Sequence, residues 1–132
     1  MRRFQKGFTL LEMMVVVAIV GIIAALAYTS YTNQIMRSNR ADAQTALNDA
    51  SQRLQRCYTS YTTFTSGDCT IYGNLSAGYD STEGFYKIEV GNASATTYTL
   101  TATAIAAPQT NDTDCQTITL EHTGTRSPEA CW

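Results

Sequence analysis

The sequence predicts an α+β protein. One long N-terminal helix, apolar in its first half and amphipathic in its second, is expected to lie along an antiparallel sheet of three to four strands. Three observations predict it. Residues 8–28 form an apolar run with one acid, Glu12, near its start, behind a short basic leader. Apolar residues then recur at three- and four-residue steps from Ile35 to Cys57. Beyond Gly67 the period changes to two, with turn residues between the alternating stretches. The chain of 132 residues suits one domain plus that helix. Its expected divisions are a leader at 1–7, an apolar helix at 8–35 and an outer domain at 36–132.

The apolar run spans roughly 31 Å as a helix, enough to cross a bilayer. Arg2, Arg3 and Lys6 precede it, and no basic residue follows until Arg37. This asymmetry leaves the leader in the cytoplasm and sends the bulk of the chain outward. A cleaved secretory signal fits poorly, because its small-residue cleavage site follows the apolar core, whereas here Gly7 precedes it. Glu12 sits just inside the run. A lone carboxylate there costs roughly 3 kcal/mol on insertion scales, so it persists only where the final structure uses it. Gly21, in mid-run, permits close helix packing or local melting.

The second half of the helix carries its stripe on Ile35, Met36, Ala43, Ala46, Leu47, Ala50, Leu54 and Cys57, with Asn, Asp, Arg and Gln between. One apolar stripe of this width is built to dock on a sheet. Helical character fades over residues 58–67, where Thr, Ser, Tyr and Gly accumulate, and residues 68–83 read as an irregular loop. Residues 85–90 then alternate, with Tyr86, Ile88 and Val90 on one face. Residues 91–94 signal a turn. Residues 97–105 alternate Tyr98, Leu100, Ala102 and Ala104 against threonines, and residues 116–122 place Ile118, Leu120 and His122 on one side. The apolar face of these strands is the expected seat of the stripe.

The segment Lys6-Gly7-Phe8-Thr9-Leu10-Leu11-Glu12 resembles the class III signal of type IV prepilins. The resemblance implies cleavage between Gly7 and Phe8 by a prepilin peptidase and methylation of the new α-amine on Phe8. It implies the pilin ladle fold, with residues 8–35 as membrane anchor and then filament core. Many pilins break this helix with a proline where this chain has Thr29, so residues 29–32 are expected as a weak helical point instead. The stretches 37–44, 52–58 and 98–104, together with Cys115 and the pair Cys131-Trp132, resemble a PilE-like subgroup. Its members are often minor pilins, and some relatives are receptors for DNA uptake.

Glu12 has a physical role beside that resemblance. The α-amine of an incoming subunit can pair with the carboxylate of one already in a filament, and in a low-dielectric core that pair is stronger than in water. The partners implied are copies of this chain or other pilin subunits, the peptidase, the inner-membrane pilus assembly machinery, and the inner membrane before export. The filament uses implied are adhesion, twitching motility and DNA uptake.

Formal charge is −2, and removal of the leader makes the chain more acidic. From Cys57 onward only Lys87 and Arg126 stand against Asp68, Asp80, Glu83, Glu89, Asp112, Asp114, Glu121 and Glu129. Phosphate neutralisation needs basic groups, so DNA is a possible but not the favoured partner. The candidates for it are Arg37, Arg40, Arg53 and Arg56 on the helix. The expected function is a structural subunit of a type IV pilus. A minor pilin acting as DNA-uptake receptor and a type II secretion pseudopilin are the alternatives.

Four cysteines in an exported domain read as two disulfides, with three connectivities open. Proximity in sequence favours Cys57–Cys69 and Cys115–Cys131, each closing a loop. No Cys-x-x-Cys or Cys/His cluster suggests a metal, and no cofactor motif is present. His122 is the only histidine, and it reads as a structural residue. No nucleophile motif or carboxylate pair points to an enzyme. Tyr58, Tyr61, Phe64, Tyr72 and Tyr79 cluster after the helix and are expected to pack locally.

Overall fold

The computed structural model describes residues 7–132. The leader expected at 1–7 therefore lies, apart from Gly7, outside the described residues. Helix α1 runs Leu10–Tyr61, followed by helix α2 (Thr70–Ala77) and strands β1 (Tyr79–Asp80), β2 (Tyr86–Gly91), β3 (Thr99–Ala104), β4 (Thr117–Glu121) and β5 (Arg126–Ser127). Single 3-10 turns at Gln109–Asn111 and Glu129–Cys131 precede β4 and follow β5. The chain separates into two compact units that meet between Gln34 and Ile35.

The first unit is helical from Leu10 and uncovered. Its apolar side chains from Phe8 to Leu26 stand in the open, and the helix is long and apolar enough to cross a membrane. Thr9 caps the helix: its hydroxyl accepts the Glu12 amide N–H at 3.2 Å. Thr-x-x-Glu is the spacing of a capping box, and an acid in the first turn also suits the helix dipole. The helix is unbroken at residues 29–32. Thr29 and Thr32 return their hydroxyls to the carbonyls of Leu26 (3.1 Å) and Thr29 (3.0 Å), so the polar groups expected to weaken this point are bonded inside the helix.

The second unit, Ile35–Trp132, holds the core. Ala43, Leu47, Ala50 and Leu54, all fully buried, form the inner stripe of α1 at the spacing of one helical face. They share one cluster with Tyr86, Ile88, Leu100, Ala102, Ile118 and Leu120 from one face of the sheet. The two alanines let the helix backbone approach the strands, while the leucines fill the space between. The sheet is antiparallel throughout, in the order β1-β2-β3-β4-β5. Ile88 faces Ala102, which faces Ile118, and Val90 faces Leu100, which faces Leu120. Each row is thus apolar on the helix side, and the threonines between them face outward.

The sheet has five strands rather than three or four, because a two-residue strand pairs at each edge. Pairings this short leave no periodicity in sequence. The loop expected at 68–83 contains α2, whose Gly73, Asn74 and Ser76 are weak helix formers. Burial of Leu75 and the adjacent Cys69 bridge hold it, so tertiary context overrides propensity here. Helix α1 ends after Tyr61, with Thr62 in the left-handed region (φ 57°). The chain then turns back, and the Phe64 amide bonds Ala95 O at 3.0 Å.

The aromatic cluster is part of this return. Tyr58 stacks on Phe64 at 4.6 Å, and Phe64 meets Tyr98 edge-on at 4.7 Å between ring centres. The buried Tyr98 hydroxyl bonds Ser51 Oγ at 2.9 Å and accepts from Gln55 Nε2 at 3.3 Å. His122 lies half-buried at the edge of the same group. Its main-chain N–H bonds Tyr98 O at 3.0 Å, and its ring sits 6.1 Å from that of Tyr98.

Candidate functional site

The chemistry-bearing residues fall in three places. The first is the start of α1, where Gly7, Phe8 and Glu12 are all exposed. The cysteines are joined as Cys57–Cys69, with Cα atoms 5.8 Å apart, and Cys115–Cys131, 5.7 Å apart. The first bridge fastens the end of α1 to the start of α2. The second fastens the loop before β4 to the 3-10 turn after β5.

The arginines of α1 separate by partner. Arg40 is committed internally. Its Nε and one terminal nitrogen donate to the two Asp112 oxygens, both at 2.7 Å, and the side chains are 20 % and 6 % exposed. Such a bidentate fork is the strongest form of charge-assisted pair. It raises the Arg40 pKa further above its ordinary value. Gln109 extends the anchor, donating to Met36 O at 3.2 Å and to the Tyr86 hydroxyl at 2.8 Å. That hydroxyl in turn donates to Cys115 O at 3.3 Å. Burial raises the Tyr86 pKa. Together these bonds fix the loop carrying residues 108–115 onto α1.

Arg53 pairs with Asp49 one turn away at 2.8 Å, both half in solvent. Lys87 pairs with Glu89 at 3.1 Å. Arg37, Arg56 and Arg126 have no carboxylate partner among the described residues. Arg56 and Arg53 line a shallow cleft with Ser60, Tyr61, Thr70 and Ile71, but Asp68 lines it too. Arg37 lines a different cleft, with Arg40, Gln44, Ala130, Cys131 and Trp132. Trp132 is shared with an adjoining cleft lined by Gly124, Thr125, Arg126 and Glu129. There the Arg126 guanidinium lies 4.8 Å from the centre of the Trp132 ring, a cation–π arrangement.

The surface around Trp132 thus combines an aromatic ring with two arginines that form no ion pair among the described residues, although Glu129 lines the same cleft as Arg126. This chemistry can grip a polyanion: guanidinium groups donate to phosphate, and the ring beneath Arg126 holds that guanidinium in place. Of the arginines singled out in sequence, the structure brings Arg37 to this surface, uses Arg40 to build it and keeps Arg53 and Arg56 apart. Gln44 and Trp132 entered the sequence reading only within the PilE-like resemblance and Arg126 only in the charge count, and none was singled out for a site. Gln44 shares α1 with Arg37, whereas Trp132 reaches the same cleft from the C-terminal segment that the Cys115–Cys131 bridge holds.

Comparison with known proteins gives two matches. Residues 2–28 match the prokaryotic N-terminal methylation motif. Residues 29–119 match the family described as type IV minor pilin ComP, DNA uptake sequence receptor. No curated protein matches the chain.

Proposed function

The chain belongs to the family of type IV minor pilins described as DNA uptake sequence receptors, and we propose that it is a minor pilus subunit that captures duplex DNA on the Arg37–Trp132–Arg126 surface. The family match falls on the reading that sequence alone placed second. The observation that carries the location is the Arg126 guanidinium over Trp132, beside a cleft holding Arg37. The domain is otherwise acidic, so DNA is repelled elsewhere and admitted here. Two arginines neutralise about two phosphates. The logarithm of affinity should then fall with the logarithm of salt concentration at a slope near −2, far shallower than for a strongly basic DNA-binding protein. Sequence-independent binding of this kind is weak, and selectivity rests on contacts to base edges.

Fluorescence anisotropy of labelled duplex with the full chain in detergent, across a salt series, tests this reading. A shallow slope and loss of binding in Arg126→Gln support it. No binding at low salt refutes it.

The same reading gives the route to the filament. A prepilin peptidase trims the leader between Gly7 and Phe8 and methylates Phe8. The helix at residues 8–35 waits in the inner membrane with the leader inside and residues 36–132 outside. The assembly machinery then inserts it among other pilin subunits in an extracellular fibre. The uncovered apolar surface of residues 8–28 supports both stages, since lipid covers it first and neighbouring helices afterwards. Two disulfides suit the oxidising side of the membrane. Glu12 stays exposed on α1 after Thr9 has capped the helix through the backbone, which leaves its carboxylate for the α-amine of a neighbour. Glu12→Ala should insert in the membrane and be trimmed, yet be lost from sheared filaments. Undiminished recovery in filaments would count against the pairing. The role throughout is binding and structure, not catalysis.

A further inference from the structure

Residues 128–132 carry Trp132, which packs partly buried against the core beside the buried Cys131, but the regular structure around them is brief. Strand β5 contributes two residues and the following 3-10 turn three. Elements this short do not persist alone, because each ordered residue costs backbone entropy that one or two hydrogen bonds do not offset. Two ties converge instead on a single residue, Cys131. Its sulfur is bonded to Cys115. Its carbonyl accepts a hydrogen bond of 2.8 Å from Gln44 Nε2, across 87 residues of sequence.

Gln44 lies one helical turn beyond Arg40, and both line the cleft that contains Arg37 and Trp132. Arg40 holds the Asp112 loop at one end of the disulfide, and Gln44 holds Cys131 at the other. The bridge fixes Cys131 Sγ, and the 3-10 bonds from Cys131 N–H to Pro128 O and from Trp132 N–H to Glu129 O hold the turn only to itself. The Gln44 bond ties that turn to α1 at the residue directly before the tryptophan.

We infer that Gln44 is a positioning residue for DNA capture: by holding the Cys131 carbonyl against α1 it sets the Trp132 ring between Arg37 and Arg126. The inference rests on the DNA-binding reading above, and it assigns Gln44 no contact with the ligand. With the bond intact, the ring is presented in one orientation, and the arginines flank a fixed surface. Without it the ring samples several orientations, and each DNA molecule must select the productive one, which lowers apparent affinity by the fraction of chains that are competent.

Trp132 is the only tryptophan, so its fluorescence reports this segment alone. The test uses the full chain in detergent with disulfides intact, comparing wild type with Gln44→Met, which keeps length and packing but cannot donate, and with Arg126→Gln, which is exposed and leaves Gln44 in place. Gln44→Met should shift Trp132 emission to the red and raise its accessibility to an uncharged quencher. Its affinity for labelled mixed-sequence duplex should fall about fivefold, the scale of one lost hydrogen bond. Arg126→Gln should weaken DNA binding while quencher accessibility stays much closer to wild type than in Gln44→Met.

Unchanged emission in a folded Gln44→Met protein overturns the inference. So does a shifted emission with undiminished DNA affinity. If Gln44→Met fails to fold, the full chain carrying Gln44→Glu, which keeps the shape but cannot donate, decides by emission alone: a red-shifted spectrum supports the tie and a wild-type one overturns it. Absence of DNA binding by wild type sinks the receptor reading instead. The emission comparison then still decides whether Gln44 holds the ring.

Discussion

Asp112→Asn tests how the loop carrying residues 108–115 is held to the helix. Both Asp112 oxygens accept from Arg40 at 2.7 Å, and the acid is only 6 % exposed against 20 % for its partner. An ion pair at the surface is worth about 0–1 kcal/mol. Removing one member of a buried pair costs about 3–5 kcal/mol, because the other charge is left without compensation. Arg40 keeps some solvent contact, so the lower end applies, about 3 kcal/mol. In a domain of this size each kcal/mol lowers the melting temperature by about 4–8 °C, which puts the expected drop near 15 °C. Circular dichroism melts and urea titrations of residues 35–132, disulfides intact, give the number. Arg40→Met completes a double-mutant cycle. The double variant should be less damaged than the sum of the singles, since replacing both partners removes the stranded charge. A loss below about 1 kcal/mol in Asp112→Asn, with additive singles, would show that the pair behaves as a surface contact. The anchoring argument would then fail.

Further outcomes follow from the core and the bridges. Leu47→Ala empties the centre of the α1 stripe, where the side chain is fully buried; about 3–4 kcal/mol should be lost in urea unfolding. Cys57→Ser with Cys69→Ser removes a bridge across 12 residues and should cost about 3 kcal/mol in the chain-entropy model, with hydrogen exchange rising first in α2. Burial raises the pKa of both Tyr79 and Tyr86, so their neutral forms are favoured in the fold. The unfolded chain therefore releases these protons first as pH passes about 10. Stability should hold below that pH and decline above it. Tyr86→Phe should soften this alkaline decline, while costing about 1–2 kcal/mol at pH 7 by stranding the Gln109 donor. Melting temperature as a function of pH measures both effects.

Periodicity determined the architecture in advance because burial follows it. Ala43, Leu47, Ala50 and Leu54 recur on one helical face, and Tyr86, Ile88, Leu100, Ala102, Ile118 and Leu120 alternate on one sheet face. A long helix on an antiparallel sheet is the arrangement that buries both sets. The start of the chain was equally informative. Basic residues, Gly7, an apolar run and one embedded acid at Glu12 mark the N-terminal methylation motif, and no partner segment is needed to read them.

What depends on contacts far apart in sequence was invisible. No local pattern says that Arg40 pairs with Asp112 across 72 residues, or that Gln44 reaches Cys131. The eight residues of α2 form a helix against their own propensity because Leu75 and Cys69 are held from outside. The surface joining Arg37, Trp132 and Arg126 exists only once a disulfide and a hydrogen bond have brought residue 131 back to residue 44. Composition counted an acidic domain, because charge is a sum over the chain. Only the tertiary structure decided which arginines pair with carboxylates and which stay unpaired among the described residues, because pairing is set by distance.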